Sequence, residues 1–130
     1  MYDLNKSQIM ELFQFDNAAK VISAAYIASS SGNVQTGDVV HLSFPGSNGD
    51  CHVKSGHINN AESYVIKIAS GFYDNPSKGL PSSNGMMLAF SASTGEPTAI
   101  LRDEGWLTDM RTGIGGAIAT KALAAKNAEK

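Results

Sequence analysis

The 130-residue sequence has a single cysteine, Cys51. An internal disulfide is therefore excluded, and a reducing compartment, the cytoplasm, is the expected location. No apolar run approaches the roughly 18 residues that a bilayer span needs. The N-terminal stretch MYDLNKSQIMELF carries acidic residues and no apolar core, so it does not read as a secretory leader. Basic residues number 10 against 12 acidic ones, scattered without a basic run, for a net charge of -2. Nucleic-acid binding is not expected from that balance. Internal repeats and low-complexity tracts are missing. So are a Gly-x-Ser-x-Gly elbow and any Cys-His or Ser-His-Asp arrangement for nucleophilic catalysis. Cys51, His52 and His57 hint at a metal, but Cys51 and His52 point to opposite faces of a strand. No metal site is expected, and His41 reads as a surface strand residue.

What is present describes one globular domain over residues 1–130, with 42% hydrophobic and 17% charged residues. Residues 7–14 read as a short helix capped by Ser7. A second helix, capped by Asp16 or Asn17, runs to about Ser29, with Ala18, Val21, Ile22, Ala25 and Tyr26 on one face. From Asp38 the period changes to two. Val40, Leu42 and Phe44 alternate with His41 and Ser43 in a strand whose return partner is 51–58. A strand follows at 64–70, then a long loop over 71–85, then a hairpin of 86–91 with 97–103. A final helix is expected from about Thr108 into Ala125. The fold class is α+β: N-terminal helices, an antiparallel meander and a C-terminal helix.

Two cations stand out. Lys67 alternates with Ile66 and Ile68 in a central strand, where an ammonium must find a partner or lower its pKa. An edge lysine reaching for water is the plain alternative. Arg111 falls in the first turn of the last helix, where a cation opposes the helix dipole. An anionic ligand would resolve that conflict; so would a surface pair with Asp109 or Asp103. The same helix carries Gly113, Gly115 and Gly116, each costing up to about 1 kcal/mol relative to alanine. Close approach of a ligand or another backbone would offset that cost. The spacing is not a dinucleotide fingerprint, because no βαβ unit surrounds it.

The stretch Tyr-Val-Ile-Lys-Ile-Ala-Ser-Gly-Phe-Tyr-Asp-Asn from Tyr64, then Gly-Leu-Pro-Ser-Ser-Asn-Gly-Met-Met-Leu-Ala-Phe, then Thr-Gly-Glu-Pro and Leu-Thr-Asp-Met-Arg-Thr-Gly, resembles the ornithine cyclodeaminase/mu-crystallin family. The match is strongest over residues 53–124. The resemblance implies an α+β domain that binds substrate and forms a homodimer, followed in family members by a Rossmann domain for NAD(H) or NADP(H). It implies that Lys67 contacts substrate and assists proton transfer, that Arg111 holds the substrate carboxylate, and that Thr112 lies beside the cofactor. The substrate would be a small amino or imino acid. The chain ends where the Rossmann domain of the family begins, so bound cofactor and turnover are not expected of it alone.

Three positions depart from the family pattern. Asp38 stands near an expected substrate-binding arginine, Lys54-Ser55 replaces a Met-Pro pair, and His52 lies near a glutamate of ornithine-specific members. These changes argue against ornithine as substrate. Two functions stay open: the substrate half of an NAD(P)-dependent amino- or imino-acid enzyme, or a naturally shortened, non-catalytic binding or dimerisation module.

Overall fold

A computed structural model describes residues 1–128. Strand β1 (Tyr2–Asn5) leads into helix α1 (Lys6–Leu12) and helix α2 (Phe15–Ser30). Strands β2 (Val34–Thr36), β3 (Val40–Phe44), β4 (Gly49–Ile58), β5 (Ser63–Phe72), β6 (Ser83–Ser91) and β7 (Pro97–Arg102) follow. Helix α3 (Trp106–Leu123) comes last. The seven strands form one sheet in the order β1-β7-β6-β5-β4-β2, with β3 also paired to β4. The fold class is therefore α+β, as the sequence indicates.

The meander from β3 to β7 is antiparallel, but the sheet as a whole is mixed, because β1 pairs parallel with β7. Alternating β-branched and aromatic residues suit the pleated strands. Tyr64 and Phe90 stack across the β5–β6 ladder at 5.1 Å. The expected long loop is shorter, spanning 73–82, because both flanking strands extend into it. It is also tied down: the Phe72 N–H donates to the Ser82 carbonyl at 2.8 Å, and Asn75 Nδ2 donates to the Pro81 carbonyl at 3.0 Å.

The helix caps differ from expectation. Asn5, not Ser7, caps α1: its Oδ1 accepts the Gln8 N–H at 3.0 Å, and Gln8 Oε1 accepts the Asn5 N–H at 3.0 Å. This reciprocal pair satisfies two otherwise orphaned donors. Helix α2 starts at Phe15 behind Gln14, without a side-chain cap, so Asp16 and Asn17 lie inside it.

The sheet has two unlike faces. Strand alternation and register place His52, Lys54, Lys67, Ala69 and Met87 on one of them. Helix α3 lies over this face, where its Thr108 and Asp109 line one concavity of about 230 Å³ with His52 and Ala69. The opposite face carries Val40, Leu42, Val53, Ile66, Ile68 and Leu88. On that face Val40 remains 53% and Leu42 52% exposed. Fully buried apolar side chains among the described residues are Ile9 and Ile114. The Phe13 ring meets the Trp106 ring edge-on at 5.0 Å, joining the end of α1 to the start of α3.

Candidate functional site

Lys67 sits in the middle of β5, with Lys54 of β4 opposite on one side and Met87 of β6 on the other. Strands flank β5 on both sides, so the edge-lysine explanation does not apply. Small neighbours leave room above it: Ala69 shares its face, and Gly85 faces Ala69 across the ladder. A side chain at Gly85 would drive into the backbone carbonyl of Ile68. Lys67 is half-buried, and its pKa lies below the ordinary lysine value. Burial is the main cause, the Lys54 and Arg111 charges add to it, and Asp103 opposes it. The arrangement thus brings Lys54, Arg111 and Asp103 within electrostatic reach of Lys67.

Asp103 is 1% exposed and follows β7 at the foot of α3. Its Oδ2 accepts the Leu107 N–H at 2.8 Å, and its carbonyl accepts the Trp106 N–H at 3.0 Å. Glu104 at φ 55 and Gly105 at φ 83 turn the chain between these contacts. The carboxylate therefore caps α3 from outside and starts it at Trp106. Arg111 consequently lies in the second turn of α3, not the first, and the dipole conflict is weaker than the sequence implies.

Arg111 is held by an aromatic ring. Its guanidinium stands 5.3 Å from the centre of the Tyr26 ring on α2, a cation–π contact. The Tyr26 hydroxyl lies 2.6 Å from where a Cβ of Gly115 would be, so glycine there makes space for the ring that seats Arg111. Gly113 and Gly116 face open space, and nothing in the structure explains them. The alternative partners do not engage. Among the described residues, no carboxylate forms an ion pair with Arg111 or Lys67; the pairs present are Lys6–Glu104, Arg102–Asp3 and the histidines of Asp50.

Thr112 is exposed on α3, and its hydroxyl donates to the Thr108 carbonyl at 2.9 Å. The described residues contain no βαβ unit.

His41 and His52 form a cross-strand pair, their rings stacked at 4.4 Å. Asp50 joins them at 4.0 Å and 3.9 Å, so the three could present ligand atoms to a cation. Cys51 and His57 are not part of this group. Sequence reading missed it because the β3–β4 register that brings His41 to His52 depends on the length of the turn. Tyr26, Lys54 and Asp103 were likewise not marked as site residues. The Asp-x-Gly ahead of the last helix was a usable capping signal for Asp103; Tyr26 was hidden in an apolar stripe.

Comparison with known proteins shows the family and the fold. The profile of the ornithine cyclodeaminase/mu-crystallin family matches residues 3–130. An uncharacterized cyclodeaminase of Sinorhizobium fredii is 39% identical over 127 residues, covering 96% of this chain. Alanine dehydrogenase of Archaeoglobus fulgidus is 32% identical over 124 residues, covering 95% of it. The chain spans only 38% and 37% of those two proteins. In three dimensions it superposes on Thermococcus litoralis Δ1-pyrroline-2-carboxylate reductase in complex with NADH and L-proline, with TM-score 0.91 and 27% identity, covering 99% of this chain and 40% of that one. An archaeal alanine dehydrogenase dimer with bound NAD gives TM-score 0.89 and 29% identity, covering 99% and 39%. The chain belongs to the ornithine cyclodeaminase/mu-crystallin family.

Proposed function

We propose that this chain is the substrate-binding and dimerisation part of an NAD(P)-dependent enzyme acting on a small amino or imino acid. The observation that carries this is the pair of cations, Lys67 in a central strand and Arg111 on the helix above it, with no carboxylate paired to either among the described residues. A half-buried Lys67, with the exposed guanidinium of Arg111 adding positive charge to its surroundings, favours an anionic ligand. The solved relatives with bound NADH and L-proline, or with NAD, support the same class.

In this reading Arg111 holds the substrate carboxylate, its guanidinium steadied by Tyr26. Lys67 lies near the substrate nitrogen. Its lowered pKa brings the ammonium closer to a proton donor that works near neutrality, so it can hand a proton to the nitrogen or take one back. The nicotinamide cofactor, when bound beside Thr112, supplies hydride exchange at the α-carbon. The opposite sheet face, with Val40, Leu42 and Phe44 exposed, is the dimer surface. The protein works in the cytoplasm, where its lone Cys51 stays reduced.

The test is a titration of the 15N-labelled chain with pyruvate and with L-proline. Amide shifts should gather around Lys67 and Arg111, and Arg111→Ala should remove them. A folded chain giving no shifts at these positions would count against the reading. The reading frame beyond Lys130 provides a second test: a glycine-rich βαβ segment is expected, and a stop codon there favours the shortened binding module.

A further inference from the structure

Lys54 faces Lys67 directly across the β4–β5 ladder. Opposed residues in such a ladder hold their Cβ atoms about 4.5–5.5 Å apart, and like charges there are destabilising. The fold gains nothing from this pairing. Most neutral side chains would fit the exposed Lys54 position equally well. A repulsive pair at the centre of a candidate site therefore points to a ligand that reverses the repulsion.

The local charge can be counted. Lys54, Lys67 and Arg111 are three cations, and Asp103 is the one anion that opposes them at Lys67. Asp103 is also engaged with the Leu107 N–H. Asp50, further along the same face, lies 4.0 Å from His41 and 3.9 Å from His52. Asp109 lines the concavity beside those groups and makes no ion pair with Arg111. Lys54 and Lys67 thus face each other with no carboxylate in contact with either among the described residues, and a single carboxylate held by Arg111 would leave Lys54 without a counter-ion. The two cations come from different elements: Lys54 faces Lys67 from the neighbouring strand, and Arg111 stands on helix α3.

We propose that the substrate carries two carboxylates: it is a short dicarboxylic 2-amino or 2-imino acid whose second carboxylate is held by Lys54. The inference rests on the carboxylate-site reading above and names the substrate class for it. One carboxylate sits on Arg111, the reacting carbon and nitrogen lie at Lys67, and the far carboxylate lies over β4. Each arm of the ligand then meets one cation, and the Lys54–Lys67 repulsion is relieved.

The experiment compares two 2-oxo acids on the labelled chain at low ionic strength. 2-Oxoglutarate carries two carboxylates and 2-oxobutyrate one. The expected result is that 2-oxoglutarate binds about tenfold tighter, the value of one added charge-assisted contact. Lys54→Met should erase that advantage and leave 2-oxobutyrate affinity within about twofold. Lys54 is exposed, so this variant should keep its fold, and an unchanged amide spectrum away from the site confirms it. Lys78→Met, in the loop after β5, serves as the control for general attraction and should change neither acid. Equal affinity for both acids, or an equal effect of Lys78→Met, overturns the second-carboxylate proposal and leaves the first carboxylate site standing. Binding of neither acid by the folded chain removes the underlying reading, and this inference falls with it.

Discussion

Asp103 does two separable things, and replacing it separates them. Its carboxylate accepts the Leu107 N–H at 2.8 Å, and its negative charge acts on Lys67. In Asp103→Ala the Leu107 N–H loses its acceptor in a place shielded from water, since Asp103 is 1% exposed. An orphaned buried donor costs about 1–3 kcal/mol. Loss of the anion near the helix start adds about 0.3–1 kcal/mol. A destabilisation of about 1–4 kcal/mol is therefore expected for Asp103→Ala. Asp103→Asn keeps an acceptor and should cost about 1 kcal/mol or less. Urea unfolding followed through Trp106 is the assay. Trp106 is the only tryptophan, and its own N–H donates to the Asp103 carbonyl. The second readout is the Lys67 titration, followed by NMR of labelled lysine side chains. Asp103 raises the Lys67 pKa against the other influences, so both variants should lower it further. If Asp103→Ala costs under about 0.5 kcal/mol, the capping argument is wrong. If Asp103→Asn leaves the Lys67 titration unmoved, the carboxylate does not act on that ammonium.

Other perturbations follow from the same contacts. The folded state disfavours charged Lys67, so its pKa is lower folded than unfolded, and stability should rise as pH climbs from the folded value to the unfolded one. Lys67→Met should abolish that rise in pH-dependent urea unfolding and stabilise the chain near neutrality; a variant with the unchanged profile would refute it. Gly115→Ala must displace the Tyr26 ring, so it should weaken pyruvate binding several-fold, whereas Gly113→Ala, which meets nothing, should stabilise the fold by about 0.5–1 kcal/mol. Light scattering at tens of micromolar should give a dimer mass, and Leu42→Asp on the exposed apolar face should give a monomer. Calorimetry should detect no micromolar binding of NAD(H) to this chain by itself, because its described residues provide no pyrophosphate cradle.

Period-two alternation located the antiparallel ladders from β3 to β7, because each of those strands has one face richer in apolar side chains than the other. It also placed Lys67 in a central strand. It could not reveal β1: Tyr2–Asn5 pairs with residues nearly the whole chain away, and a short parallel edge leaves no periodic trace. Strand β2 has three residues, too few to show a period. The start of α3 was placed two residues late, because its cap is a carboxylate three residues ahead of the helix, not at the usual position. That shift moved Arg111 from the first turn to the second. The partner of Arg111 was invisible for a different reason. Tyr26 belongs to the apolar stripe of α2, and only the packing of α2 on α3 shows that its ring meets a guanidinium. Resemblance to the family supplied Lys67, Arg111 and Thr112 as a set, and residue patterns alone left Lys67 and Arg111 with ordinary alternatives.

The two faces of the sheet make the same demand. One bears cations in excess around Lys67, a charge pattern that no carboxylate of the described residues neutralises by contact. The other bears aliphatic side chains that stay about half exposed. Folding alone satisfies neither: the first is unfavourable without an anion, and the second leaves apolar surface in water. On the proposed reading each demand has its own chemistry, a small carboxylate for one and a second apolar surface for the other. The two can be tested independently, since Leu42 and Lys54 lie on opposite faces of the same hairpin. A Leu42→Asp monomer that still separates 2-oxoglutarate from 2-oxobutyrate would show that the anion site is built by one chain. Loss of that discrimination together with the dimer would mean that the partner subunit helps to shape it. The sheet joins the two faces through β4, whose alternate residues contribute to both, so the first outcome is expected only if the ladder holds its register without the partner.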